Sequence, residues 1–85
     1  MKKEQSLGTR ENMSDNIKAV TIVEDEINRF KACKARKKVV NHAEYIRGLI
    51  DMGLKLGSLS SATGKKLMEH MVERKRLKME QLDNT

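Results

Sequence analysis

The sequence has no tryptophan, one tyrosine, one phenylalanine and one cysteine in 85 residues. With so few large anchors, a core must be assembled from Ile, Leu, Val and Met. A chain this short also buries too little surface to shelter a large enclosed pocket. One domain is the upper bound, and the shortage of core-forming side chains predicts that a second copy completes the core. Cys33 stands alone, which excludes an intrachain disulfide, and no Cys/His set has zinc-ligand spacing, so neither a structural metal nor a cofactor is expected. No apolar run reaches the roughly 18 residues of a membrane span, and the opening MKKEQSLGTR has no apolar signal core. The expectation is a soluble, cytoplasmic protein with no membrane partner. Gly-rich phosphate loops and nucleophile motifs are missing as well, and His42 and His70 lie far apart with no cysteine near either, so an enzyme is not expected.

What the sequence does have is charge. Charged residues make up 35% of the chain and the net charge is +6, which favours anionic partners. The positive excess is concentrated between residues 17 and 40, where Lys18, Arg29, Lys31, Lys34, Arg36, Lys37 and Lys38 face only Glu24, Asp25 and Glu26. Lys34, Arg36, Lys37 and Lys38 form the densest cluster. They are candidate phosphate contacts, although cations at a helix C-terminus also suit the helix dipole.

Residues 1–15 are polar, with Leu7 and Met13 the only large apolar residues inside the segment, and read as a disordered arm. From Ile17 the text changes to IKAVTIV, rich in β-branched side chains, which predicts a short strand over 17–23. The competing reading is one long helix capped by Ser14 or Asp15, because Ile17, Val20, Val23 and Ile27 also fit a helical stripe. After the strand, Glu24, Asp25 and Glu26 precede Ile27, Phe30 and Cys33 at spacing three, predicting a helix over about 24–36 with Cys33 on its core stripe. Asn41 and Glu44 have the spacing of a capping box ahead of Tyr45, Ile46, Leu49, Ile50 and Leu54, predicting a second helix that closes at Gly57. Gly48, in the middle of that helix, costs about 1 kcal/mol against Ala and implies a close helix approach. LGSLSSATG reads as a connection, and residues 62–82 as a third helix whose seam of Met68, Val72, Met79 and Leu82, interrupted by Lys75 and widened by Leu67 and Met71, needs a partner.

Strand, helix, capped turn and helix in this order resemble the ribbon-helix-helix family of DNA-binding repressors, which includes the Arc, Mnt and methionine repressors and many plasmid accessory proteins. NHAEYIRGLIDMGLKL at 41–56 is similar to that family's second helix, and VTIVEDEINRFKAC at 20–33 to its strand and first helix. The resemblance implies a mainly α fold with one short N-terminal strand, two helices and an intertwined dimer over 16–57. The segment 58–85, a linker and additional C-terminal helix, would serve a tetramer or a protein partner. Val20, Ile22, Ile27, Phe30, Ile46, Leu49 and Ile50 would form the dimer core. Two paired strands would lie in the major groove of double-stranded DNA, with Ile17, Ala19 and Thr21 facing the bases and Lys18 at the ribbon edge. Only Thr21 of these is a polar reader of the kind such ribbons usually carry. Asn41, His42 and Ala43 would meet a phosphate at the start of the second helix, flanked by Lys34, Arg36, Lys37 and Lys38.

The implied function is sequence-specific duplex binding by a transcriptional repressor or a plasmid or phage accessory factor. The rival is a small all-helical interaction protein, such as a mobile-element inhibitor or adaptor, whose basic surface engages an acidic protein or RNA. Residues 17–23 discriminate between the two, since only the first reading needs them extended.

Overall fold

In the computed structural model, residues 16–84 are described, and they contain no strand. The expected polar arm over 1–15 and the candidate caps Ser14 and Asp15 lie outside the described residues. The chain forms a helix, α1, over 16–28, a 3-10 turn at Arg29–Ala32, a second helix, α2, at Arg36–Leu56, and a third, α3, at Ser61–Asp83. The ribbon-helix-helix expectation is therefore overturned at its first element: 17–23 is helical.

Burial explains that outcome. Within α1, Val23 and Ile27 are almost fully buried, Ala19 and Val20 pack partly against the same cluster, and Ile22 and Thr21 face solvent. A β-branched residue loses only a few tenths of a kcal/mol in a helix, whereas burying a Val or Ile side chain gains about 1.5–3 kcal/mol. A strand over the same residues would have turned Ile22 inward with Val20 and left two unpaired edges. The helical stripe needs no partner chain. Ile17, its first member, is 63% exposed, so the stripe begins to bury only at Ala19 and Val20.

The first helix also ends earlier than expected. It tightens into the 3-10 turn, a common way to finish a helix. Phe30 stays in the core, and Cys33, half-buried with extended backbone, donates its N–H to the Phe30 carbonyl at 3.0 Å.

The second helix starts five residues before the expected Asn41 cap. Its N-cap is Ala35, extended and without a side-chain cap bond, and Asn41 lies exposed inside the helix. The core stripe explains the early start: Val39, Ala43, Ile46, Ile50 and Gly53 are buried at helical spacing, and Val39 already needs the helix in place. At the other end Gly57 adopts φ 79°, a left-handed conformation that other residues enter only at a cost, and its N–H bonds the Leu54 carbonyl.

Only 57–60 separates α2 from α3. Ser60 caps α3, its hydroxyl accepting from the Thr63 N–H at 3.1 Å. The two long helices run antiparallel, with the Arg36 guanidinium paired to the Asp83 carboxylate at the far end. Close approach near the turn is made by Gly53 and Gly64 rather than by Gly48. A Cβ at Gly53 would sit 2.7 Å from Leu59 Cδ1, and one at Gly64 2.7 Å from Leu54 Cδ2.

The hydrophobic cluster includes Val23, Ile27, Phe30, Val39, Ala43, Ile46, Ile50, Leu59, Leu67 and Met71, with Leu49, Met68, Met79 and Leu82 partly buried against it. Ile27, Phe30, Ile46 and Ile50, expected at a dimer interface, are thus buried within one chain. Among the described residues no helix is long and apolar enough to cross a membrane.

Candidate polyanion interface

The α2 start draws the basic residues together. Arg36, Lys37 and Lys38 form its first turn, all exposed, and Lys34 precedes them in the extended connection. Sequence reasoning put these cations between two helices, beside a C-terminal dipole that would welcome them. They stand instead at a helix N-terminus, which carries partial positive charge. The first turn of α2 has no acidic residue and no side-chain cap. Four cations therefore adjoin backbone N–H groups that, as at any helix start, lack intrahelical partners.

Other elements add to this end of the molecule. Lys78 of α3 donates from Nζ to the Lys31 carbonyl at 3.1 Å, fixing Lys31 and Lys78 side by side. Arg74 joins them around a shallow groove with Phe30, Leu77 and Gln81. Arg74 and Lys78 lay outside the basic cluster read from the sequence, because only the antiparallel return of α3 brings them beside Lys31. The signal available was the run Glu73-Arg74-Lys75-Arg76-Leu77-Lys78, whose cations recur on more than one helix face. Asp83 neutralises Arg36 locally, whereas Lys34, Lys37 and Lys38 have no ion-pair partner among the described residues.

Arg76 is committed elsewhere. Its Nη2 lies 2.7 Å from Glu73 Oε2, and Glu80 pairs with it from the next turn. The hydrogen bond donated by Arg76 holds the Glu73 carboxyl below its ordinary pKa, and Glu73 in turn raises that of Arg76.

The remaining residues singled out from the sequence fall into two groups. Ile17, Lys18 and Thr21 are exposed on α1 and Ala19 is half-buried there, so none projects from a strand. Asn41 is exposed on α2, but Ala43 is buried and His42 is held inside the fold. His42 Nε2 donates to the Glu26 carbonyl at 2.5 Å and lies 3.6 Å from Glu26 Oε1. Its ring meets Phe30 edge-on at 5.2 Å, and Tyr45 covers it from outside at 6.1 Å. This arrangement joins α1 to α2 and leaves Nε2 engaged. Among the described residues no three His, Cys, Asp or Glu side chains converge in a way that could hold a metal ion.

Comparison with protein-family models, with curated proteins and with solved structures finds no match to this chain. The functional reading therefore rests on the chain's own charge and geometry.

Proposed function

We propose that the protein binds the phosphate backbone of double-stranded DNA through its basic end, without reading base edges. The observation that carries this reading is the placement of Lys34, Arg36, Lys37 and Lys38 at an uncapped helix start, against the local dipole. Such an arrangement works against the free protein and is relieved by a bound anion. Lys31, Arg74 and Lys78 add positive charge from the 3-10 turn and α3, and each phosphate contact adds to salt-dependent affinity. Single-strand binders stack successive bases on aromatic rings; here Phe30 is buried, and of the phenylalanine and tyrosine rings among the described residues only Tyr45 is exposed. That favours a duplex, whose backbone demands charge rather than stacking. With no ribbon present, sequence choice through Thr21 is not part of this reading.

Fluorescence anisotropy on several unrelated duplexes across a salt series tests it. The expected result is similar affinity for each duplex, falling log-linearly with salt. Each of Lys34→Gln, Lys37→Gln and Lys38→Gln should reduce the salt slope by about 1. Absence of duplex binding at low salt would overturn the proposal, and capture of an acidic polypeptide in its place would move the function to the rival interaction class.

A further inference from the structure

The α2–α3 hairpin has two sides. The 3-10 turn contacts one, where His42 joins α1 to α2; the other is an open groove running from the turn toward the basic end. Its floor is apolar, formed by Ile50, Leu54, Met68 and Val72, with Leu54 38% and Val72 53% exposed. Gly48 lies on its α2 wall, and a Cβ there would meet nothing within 4 Å. Inside one chain, then, this mid-helix glycine has no packing reason, although it weakens the helix.

The rims are charged in a regular order. Read from the turn, the α2 rim carries Asp51, Arg47 and Glu44, and the α3 rim carries Lys65, Glu69 and Lys75. At each level the two rims have opposite signs. Among the described residues Arg47, Glu44, Lys65, Glu69 and Lys75 make no ion pair, and Asp51 reaches only Lys55 on its own helix at 3.2 Å.

We infer that this groove is the interface for a second copy of the chain, related by a two-fold axis running along the hairpin. That rotation lays α2 of one copy against α3 of the other at the same level, antiparallel, completing a four-helix core. Asp51 then faces Lys65, Arg47 faces Glu69 and Glu44 faces Lys75, twice over, while Gly48 admits the partner helix. The alternative two-fold axis, across the hairpin, brings Glu44 toward Asp51 and Lys65 toward Lys75, setting like charges together. Exposed ion pairs add little affinity but like-charge contacts are strongly disfavoured, so the rims select the first arrangement and the apolar floor supplies the attraction. The interface is isologous, as a closed dimer requires. It also brings both basic ends to the same pole.

Sedimentation equilibrium on the full chain reads the outcome. The wild type is expected to be a dimer in the micromolar range. Glu44→Lys with Asp51→Lys makes positions 44, 51, 65 and 75 all positive in one variant, and Lys65→Glu with Lys75→Glu makes the same four positions all negative in another, while Arg47 and Glu69 are left unchanged in both. Each variant alone is expected to keep its helical circular dichroism and to dimerise about 10-fold more weakly or worse, whereas mixing the two restores a dimer. Gly48→Leu, whose Cβ would meet nothing within 4 Å in the monomer, is likewise expected to weaken association while leaving the helix content unchanged. A monomeric wild type overturns the inference, as does a dimer indifferent to these charge reversals. DNA affinity is not the readout, so failure here is distinct from failure of the basic-end reading.

Discussion

His42 of α2 donates a hydrogen bond to the backbone carbonyl of Glu26, at 2.5 Å, in the last turns of α1. A carbonyl oxygen only accepts, so Nε2 is the donor in this contact. The bond satisfies a backbone group near the end of α1 and seats the ring edge-on to Phe30, linking the first helix to the hairpin through one side chain.

Replacing that side chain separates fold from function. His42→Ala removes the bond and the Phe30 contact and should cost about 1–3 kcal/mol in urea unfolding. The duplex affinity of the folded variant should be unchanged. A large loss of binding with unchanged stability would return His42 to the interface.

Adjacent positions in α1 give the sharpest test of the helix. Val23→Lys buries an ammonium at a site 2% exposed, while Ile22→Lys places one at a site 54% exposed. The first should unfold or severely destabilise the protein, and the second should shift stability by no more than about 0.5 kcal/mol. The reverse order would indicate the alternating pattern of a strand.

The glycines should divide in the same way. Gly53→Ala drives a methyl to within 2.7 Å of Leu59 Cδ1, a buried side chain, and should cost about 1–3 kcal/mol. Gly48→Ala meets nothing in the monomer and should stabilise the helix by up to about 1 kcal/mol. Thermal unfolding at a concentration too low for association compares the two.

A pH prediction follows from Arg76. Its hydrogen bond depresses the Glu73 pKa in the folded state, so the associated stability is present above the unfolded value and fades as pH falls through the folded one. Both side chains are exposed at the surface, and the effect on stability should be slight. Carboxyl NMR titration should find Glu73 moving back toward its ordinary range in Arg76→Gln.

The sequence carried the hairpin more clearly than the first helix. Ile46 and Ile50 sit at helical spacing in the core, Gly57 closes α2 as expected, and in α3 the widening residues Leu67 and Met71 are buried while Val72 of the expected seam is 53% exposed. Segment 17–23 was ambiguous because β-branched composition and a spacing of three coincide there. Local propensity pointed to a strand, and burial of Val23 and Ile27 decided for a helix. The Asn41–Glu44 pair imitated a capping box inside a helix already under way, since Val39, one turn before Ala43, had fixed an earlier start. Of the basic surface, Lys34, Arg36, Lys37 and Lys38 were visible as a local run. Arg74 and Lys78 join Lys31 through contacts between residues far apart in the chain, which no local pattern encodes.

The extended Ala35 leaves the opening turn of α2 without a side-chain cap, its free N–H groups held by no protein partner among the described residues and the Arg36–Asp83 pair anchoring it only from outside. Fraying should begin there, and the amide hydrogens of 36–38 should be among the fastest in that helix to exchange with solvent. An anion that settles on the turn slows them. Recognition and local ordering then form a single equilibrium, and any affinity measured at this end already includes the work of winding the turn.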